Sequence, residues 1–296
     1  MRFAAILSLF IGAVSLYSNN HTKIQRLLYV VPEALPKNHT GKIFGHEPQI
    51  TVWAGGRLDK NGHLKAAQTQ YMSGENHLLV GLTSAAAGEA VLTKPRIREK
   101  SIREITNFTA RNRSLAGIQL DFEYLDPALG DAFATYAVDL RKAIAPLKLF
   151  VAVFPPKGMP ARWSAFHKLT ELAHASDGLV VMLYDLHRQG TKPGCVSGIA
   201  WLTENAAELA RLPRTKIWLG APLYGYRFEK KKAIAISKKS FEKTTGSTAT
   251  NDGCLLRKTT QMQAYYPAPQ LYEHYDALVR DFGFAGVAYW RAGLER

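Results

Sequence analysis

The stretch Leu115-Ala116-Gly117-Ile118-Gln119-Leu120-Asp121-Phe122-Glu123-Tyr124 decides how the rest of the chain is interpreted. As an extended strand it places Gln119, Asp121 and Glu123 on one face, because successive side chains of a strand alternate. A half-buried strand with its polar face in water would show the same alternation. However, the apolar start of the segment indicates burial on both faces, as in a parallel sheet. Its carboxylates then lie at the carboxyl end, where α/β enzymes place their chemistry.

Apolar runs of strand length recur on both sides of this stretch. With it they make eight strand candidates, at residues 25–31, 49–53, 77–83, 115–124, 149–154, 178–184, 217–223 and 285–290. Gly55-Gly56 is expected to close the second of them. Stretches with helical periodicity lie between the runs, at residues 94–112, 129–145, 161–175, 199–212 and 267–282. Strand alternating with helix eight times predicts one closed (β/α)8 TIM barrel over residues 19–296, and not an open sheet.

One interval of the chain is too long for a simple loop. It lies between the seventh and eighth strand candidates, and we predict a small β-rich insertion there, at about residues 229–264. The interval contains Asn251-Asp252-Gly253, which is typical of a hairpin turn. It also contains the densest basic run, Lys230-Lys231-Lys232 through Lys239, which we interpret as a solvated surface loop.

Gly117-Ile118-Gln119-Leu120-Asp121-Phe122-Glu123 resembles the fourth barrel strand of glycoside hydrolase family 18, the chitinase-like hydrolases, whose pattern is D-x-x-D-x-D-x-E. When the final Glu is aligned, Asp121 and Glu123 match the last two acids. Gln119 and Ala116 replace the second and first acids. This sequence therefore has the reactive pair of acids, but it lacks the acids at the two supporting positions.

Three later segments resemble further motifs of the same family. Met182-Leu183-Tyr184-Asp185 resembles M-x-Y-D, although a Tyr at the end of a strand is more commonly a core residue. Gly220 to Gly225 resembles G-x-P-x-Y-G, with Tyr224 facing the cleft and Arg227 just beyond it. The eighth strand candidate ends in Trp290, which matches the Trp that forms the floor under the reacting sugar. The four motifs occur in the family's order, each on a predicted strand.

The resemblance implies substrate-assisted retaining hydrolysis, in which the 2-acetamido oxygen of the sugar is the nucleophile. Glu123 would protonate the leaving oxygen, Asp121 would stabilise the oxazolinium ion, and Tyr184 would hold the acetamide. The substrate-binding candidates that accompany these catalytic residues are Gln119, Asp185, Tyr224, Arg227 and Trp290. Gln119 could still form a hydrogen bond with Asp121, but it cannot carry the charge of the lost acid. Activity with an altered pH dependence is expected.

The chain of 296 residues has a formal charge of +14, which is compatible with a nucleic acid, a membrane surface or an anionic polymer as partner. The Lys and Arg residues are scattered and no nucleic-acid-binding module is recognisable, so we expect no nucleic acid partner. No metal-ligand spacing or phosphate loop is found, because Gly55-Gly56 and Gly81 lie in the wrong context. We therefore expect no metal and no cofactor. The leading hypothesis is a monomeric glycosidase that acts on β-1,4-linked N-acetylglucosamine polymers, chitin or peptidoglycan. A barrel that binds such glycans as a lectin, without cleaving them, is the alternative.

The N-terminus reads Met1-Arg2 followed by an apolar run from Phe3 to Val14. This pattern is typical of a secretory signal, which we place at residues 1–18, with an uncleaved N-terminal anchor as the alternative. The protein is then expected to be secreted, periplasmic or on the cell surface, without another membrane partner. Cys195 and Cys254 could pair in an exported protein, although nothing in the sequence fixes their geometry.

Overall fold

The computed structural model describes residues 23–36, 39–67, 72–230, 232–243 and 246–296. The predicted signal or anchor at residues 1–18 lies outside these ranges. Within them, no helix is both long enough and apolar enough to cross a bilayer.

Fourteen strands are described, and eight of them close into a parallel barrel. They are β1 (Gln25–Val30), β2 (Ile50–Leu58), β3 (Leu64–Ala66), β4 (Glu75–Leu82), β5 (Leu115–Asp121), β6 (Lys148–Val153), β7 (Gly178–Met182), β8 (Ile217–Pro222), β9 (Gly225–Glu229), β10 (Lys232–Ile236), β11 (Thr248–Ala249), β12 (Cys254–Lys258), β13 (Met262–Pro267) and β14 (Gly286–Trp290). The barrel order is β1-β14-β8-β7-β6-β5-β4-β2, and the pairing of β1 with β2 closes it. The predicted (β/α)8 barrel is thereby confirmed.

The helices are α1 (Ala85–Thr93), α2 (Pro95–Arg111), α3 (Gly130–Ile144), α4 (Ala161–Phe166), α5 (Leu169–Ala175), α6 (Ile199–Leu209), α7 (Lys238–Glu242) and α8 (Pro269–Phe282). The expectation of a helix after every strand is wrong at the start of the chain. The described parts of the connections from β1 to β2 and from β2 to β4 contain no α-helix. The helix predicted at 161–175 is two helices, because the backbone is extended at His167, whose ring turns inward.

Two layers of apolar side chains fill the fold. The larger layer lies between the strands and the surrounding helices and includes Val80, Leu120 and Val151. The smaller layer fills the barrel interior and consists of Leu27, Tyr29, Ile50, Val52, Leu79, Phe150, Val180, Trp218 and Ala288. The interior is thus a packed core, as in other barrels of this kind.

The second strand does not end at Gly55-Gly56, and that prediction is wrong. β2 continues to Leu58 through a bulge, because its register with β4 shifts between Ala54 and Gly56. Glycine is required at position 56, since a Cβ there would lie 2.7 Å from the carbonyl oxygen of Leu79. The extended end of β2 pairs on its other side with the short antiparallel strand β3.

A five-stranded antiparallel sheet, in the order β10-β9-β13-β12-β11, lies between β8 and α8. Its first strand begins at Gly225, a few residues before the insertion that the sequence predicts. The turn at residues 251–253 joins β11 to β12, as the hairpin signal indicates. A disulfide between Cys195 and Cys254, with Cα atoms 5.9 Å apart, ties this sheet to the loop that follows β7. The pairing of the two cysteines, which the sequence left open, is present in the structure.

Candidate active site

A cavity of about 180 Å³ opens at the carboxyl ends of the barrel strands. Asp121, Glu123, Tyr184 and Trp290 all line it, although they come from β5, from the loops after β5 and β7, and from β14. The remaining lining residues are Tyr29, Leu79, Ala152, Met182 and Asp185. The structure therefore brings together, at one end of the barrel, the three predicted catalytic residues and two of the predicted sugar-binding residues.

The alternation of β5 explains how the carboxylates reach the cavity. Asp121 is the last residue of the strand and faces the interior, whereas Phe122 packs outward in the main core. Glu123 follows in the loop and faces the cavity again. The next residue, Tyr124, has a φ of 59°, a left-handed conformation that is uncommon for a residue with a side chain. The chain thus turns sharply away as soon as Glu123 has been presented.

The loop that carries Glu123 is held from behind by His167. The Phe154 N–H donates to Nδ1 of His167 over 3.0 Å, so Nδ1 must be an acceptor. The hydrogen on Nε2 then points to the Phe122 carbonyl, also at 3.0 Å. Burial lowers the pKa of His167 to about 4, so the ring is neutral near pH 7 and keeps this tautomer.

The electrostatics of the two carboxyl groups favour one proton between them. Burial raises the pKa of Glu123 to about 9, and the charge of Asp121 and a hydrogen bond with it act in the same direction. Burial also raises the pKa of Asp121, but the hydrogen bond from Glu123 and the nearby Arg57 lower it. Because the shared hydrogen bond acts oppositely on the two groups, the proton resides on Glu123 and the negative charge on Asp121.

One oxygen of Asp121 remains available for another donor. Its Oδ1 is buried and, among the described residues, has no hydrogen-bond partner. Gln119 does not fill this role, because its Nε2 donates to the hydroxyl of Tyr29 and its Oε1 also lacks a described partner. The suggested hydrogen bond between Gln119 and Asp121 is therefore not formed. Gln119 is completely buried beneath the cavity and not part of its lining.

Asp185 lines the cavity from the loop after β7 and is held by two tyrosines. The hydroxyls of Tyr224 and Tyr226 both donate to its Oδ1, the latter over 2.9 Å. Burial raises the pKa of Asp185, and these hydrogen bonds oppose that rise. Tyr224 is thus a support for Asp185, and it is not among the residues that line the cavity. Arg188, which donates to the Asp185 carbonyl over 2.8 Å and stacks on Trp163, fixes the same loop.

Trp290 and Tyr29 form an aromatic part of the cavity wall. Their rings meet edge to face with centroids 5.2 Å apart, and Trp290 is only partly buried. Arg227, by contrast, lies in the antiparallel sheet, where its Nε is 2.8 Å from a carboxylate oxygen of Glu229. The structure does not place Arg227 in the lining of the cavity.

Sequence reasoning missed Tyr29 and Tyr226 as site residues. Tyr226 follows Tyr224 by two positions, so alternation along an extended segment could have identified it. Tyr29 could be found only by knowing that β1 closes the barrel beside β14, because it stands inside an apolar run that matches no motif.

Comparison with known proteins places this geometry in context. Residues 79–294 match the model of the glycosyl hydrolases family 18. A protein of Bacillus subtilis (strain 168) named as a sporulation-specific glycosylase, YdhD, is 27% identical over 139 residues, which cover 46% of this chain and 33% of YdhD. This chain spans less than two thirds of the length of the curated relatives that it matches.

Solved structures show the same fold at low sequence identity. The spore cortex-lytic enzyme SleL of Bacillus megaterium QM B1551 superimposes with a TM-score of 0.79 at 21% identity, over 92% of this chain and 71% of SleL. The chitinase-like agglutinin of Robinia pseudoacacia superimposes with a TM-score of 0.76 at 17% identity, over 90% of this chain and 94% of the agglutinin. At these identities the likeness concerns the fold alone.

Proposed function

The chain belongs to the glycosyl hydrolases of family 18, and from that premise we propose that it hydrolyses β-1,4-linked N-acetylglucosamine-containing polysaccharide by a substrate-assisted, retaining mechanism. The observation that carries the proposal is the cavity that Glu123 and Asp121 line together, where burial and the charge of Asp121 raise the pKa of Glu123 to about 9. A pair of this kind supplies a proton donor and an adjacent negative charge in one place.

Glu123 is the general acid in this proposal. Its raised pKa keeps it protonated near neutral pH, so it can protonate the leaving glycosidic oxygen. The bond from the anomeric carbon to that oxygen breaks as the 2-acetamido oxygen of the same sugar attacks the anomeric carbon. Water then opens the oxazolinium ion, and Glu123, now ionised, takes a proton from that water.

Asp121 and Tyr184 position the acetamide group. The available Oδ1 of Asp121 can accept the acetamide N–H, and its negative charge stabilises the oxazolinium ion as positive charge develops. The Tyr184 hydroxyl can donate to the acetamide oxygen, because burial raises its pKa well above the ordinary value and keeps it protonated. Holding the nucleophile against the anomeric carbon replaces a bimolecular encounter by an intramolecular one.

The rest of the cavity suits the sugar ring. Trp290 offers an apolar face for stacking, and Asp185, oriented by Tyr224 and Tyr226, accepts hydrogen bonds from sugar hydroxyls. We propose an exported protein that acts on a cell wall, since relatives are named for sporulation and for lysis of the spore cortex. The excess of basic residues favours an anionic surrounding of the same kind.

A lectin is the competing function, because the fold also occurs in a chitinase-like agglutinin and two acids of the family motif are replaced here. Glycan binding alone does not require a buried proton donor, which favours the enzyme. The experiment is to incubate the purified protein with chitooligosaccharides and with peptidoglycan and to identify products by mass. Fragments that end in a reducing N-acetylglucosamine support the proposal. Binding without any product over long incubation would establish the lectin.

A further inference from the structure

The bulge in β2 turns Arg57 toward the mouth of the barrel. Ala54 packs in the barrel interior, so regular alternation would put Gly56 inside and Arg57 outside. The extra residue reverses this, and Arg57 becomes the lateral neighbour of Gly81, which in turn neighbours Asp121. Lateral neighbours in a sheet share a face, so Arg57 and Asp121 face the same side. A Cβ at Gly81 would lie 2.6 Å from Nη1 of Arg57, so the guanidinium occupies the space that this glycine leaves.

A second cation stands beside Arg57. Lys65 is its directly opposite partner in the antiparallel pairing of β2 with β3. The neighbours of Lys65 along β3, Leu64 and Ala66, pack against the outer core, so Lys65 itself faces the mouth. Like charges directly opposite each other destabilise a strand pair, and packing therefore gives no reason for this arrangement.

Nearby carboxylates do little to neutralise the charges of Arg57 and Lys65. Both side chains are exposed, and neither forms an ion pair with any residue that the structure describes. Within the described part of the chain, the guanidinium donates a hydrogen bond to the carbonyl of Gly56. Asp59, near Lys65, already accepts hydrogen bonds from the backbone N–H groups of Asn61 and His63 at 2.9 and 3.0 Å. Arg57, which is separated from Asp121 by Gly81 alone, lowers the pKa of that buried carboxyl, so the guanidinium lies close to the catalytic cavity without lining it.

We propose that Arg57 and Lys65 form a carboxylate-binding subsite that determines specificity for an acid-bearing glycan strand. A guanidinium binds a carboxylate through two parallel hydrogen bonds, and an adjacent ammonium adds a third donor. In peptidoglycan every second sugar carries a lactyl ether, whose carboxyl group is an anionic carboxylate wherever the stem peptide has been removed. Chitin has no such acid. The inference rests on the proposed function, because it concerns which polymer the same cavity takes.

The test compares one oligosaccharide in two forms. The acid form is a peptide-free strand of alternating N-acetylglucosamine and N-acetylmuramic acid, and the neutral form has the same lactyl carboxyls converted to methylamides. KM and kcat are measured for both forms with wild type, Arg57→Gln, Lys65→Gln and the double variant. Arg57→Lys tests whether charge alone suffices, and Arg96→Gln, an exposed position on α2, controls for the loss of one positive charge.

We expect the wild-type KM to be about tenfold lower for the acid form, a typical effect of a charge-assisted hydrogen bond. In the double variant the ratio of the two KM values should fall to near one, while Arg96→Gln keeps it and Arg57→Lys keeps part of it. The preference of wild type should also weaken as salt is added. Equal KM values for both forms in wild type, or an unchanged ratio in the double variant, would overturn the inference. If the Arg57 variants instead lose kcat equally on both forms, Arg57 acts through Asp121 and does not bind the carboxylate of the substrate.

Failure of the proposed function is distinguishable from failure of this inference. If wild type cleaves neither form, the glycosidase proposal fails. In that case calorimetry measures the affinities of wild type and the double variant for the acid and neutral forms. The ratio of the two affinities then replaces the ratio of KM values as the test of the subsite.

Discussion

The imidazole of His167 donates a hydrogen bond from Nε2 to the carbonyl oxygen of Phe122 over 3.0 Å, and thereby holds the residue that separates Asp121 from Glu123. The same ring accepts from the N–H of Phe154, at the end of the neighbouring strand. One buried histidine thus fixes the spacing of two barrel strands at the level of the carboxylates. Positioning of this kind contributes to catalysis without contact between His167 and the sugar.

Replacement of His167 by Ala should lower kcat about tenfold and destabilise the fold by about 2 kcal/mol, because a buried carbonyl and a buried N–H lose their partner. Activity assays and urea unfolding check both effects. His174→Ala is the matched control, since His174 is an exposed residue on the same stretch of chain. An unchanged kcat in a destabilised His167→Ala protein would restrict the residue to a purely structural role.

The pH dependence of kcat/KM should be bell-shaped. Glu123 must be protonated, and its pKa is raised to about 9, so activity falls as the pH rises through that region. Asp121 must be ionised, so activity also falls as the pH is lowered through the pKa of Asp121. Burial raises that pKa, so the acid limb lies above the ordinary aspartate value of about 3.9. Asp121→Asn should lower the rate and move the alkaline limb to lower pH, because it removes a charge that raises the pKa of Glu123. If the alkaline limb of Asp121→Asn stays at the wild-type pH, the charge of Asp121 does not raise the pKa of Glu123.

Glu123→Gln should raise the thermal stability at pH 7.5. The folded-state pKa of Glu123 is raised to about 9, whereas the unfolded value is about 4.3. Between these values the folded protein keeps a proton that the unfolded chain releases, so stability is lost as the pH rises through that window. Gln removes this cost, and the difference in melting temperature between variant and wild type should shrink toward pH 4.5. A difference that is independent of pH would contradict the assignment.

Loss of the disulfide should destabilise the sheet formed by β9 to β13. Cys195 and Cys254 are 59 residues apart in sequence, and closing a loop of that length is worth up to about 4 kcal/mol in the chain-entropy model. Cys195→Ser and the double serine variant should have a lower urea midpoint than wild type. Treatment of wild type with reductant should lower its midpoint by the same amount. Equal midpoints for oxidised and reduced protein would show that the bond contributes nothing.

The central strand and the reactive pair could be predicted because local chemistry determines them. Alternation along β5 puts Asp121 and Glu123 on the same face, and an apolar run ending in carboxylates points to the carboxyl end of a parallel strand. Tyr184 and Trp290 were identified only through the resemblance of their segments to the family motifs, because a strand that ends in Tyr-Asp is by itself commonplace.

The remaining features depend on contacts between distant parts of the chain. Gly55-Gly56 indicates a turn by its local preference, but pairing with β4 on one side and β3 on the other converts it into a bulge. Helical periodicity continues across His167, but the helix breaks at this residue, whose ring forms hydrogen bonds with the backbone of Phe122 and Phe154. Gln119 bonds to Tyr29, which is 90 residues away and adjacent only after the barrel has closed.

The central claim is that Glu123 is the proton donor of a glycosidase, and turnover and affinity measured on one oligosaccharide test it most directly. Glu123→Gln keeps the shape of the side chain but has no proton to give, and general acid catalysis is typically worth about 10²–10⁴-fold in rate. We predict that Glu123→Gln loses turnover by that factor and still binds the oligosaccharide with nearly the wild-type affinity, because Trp290 and Asp185 are untouched. Equal rates of cleavage by the two proteins would contradict the claim. If wild type binds the oligosaccharide without any turnover, the protein is a lectin and not an enzyme.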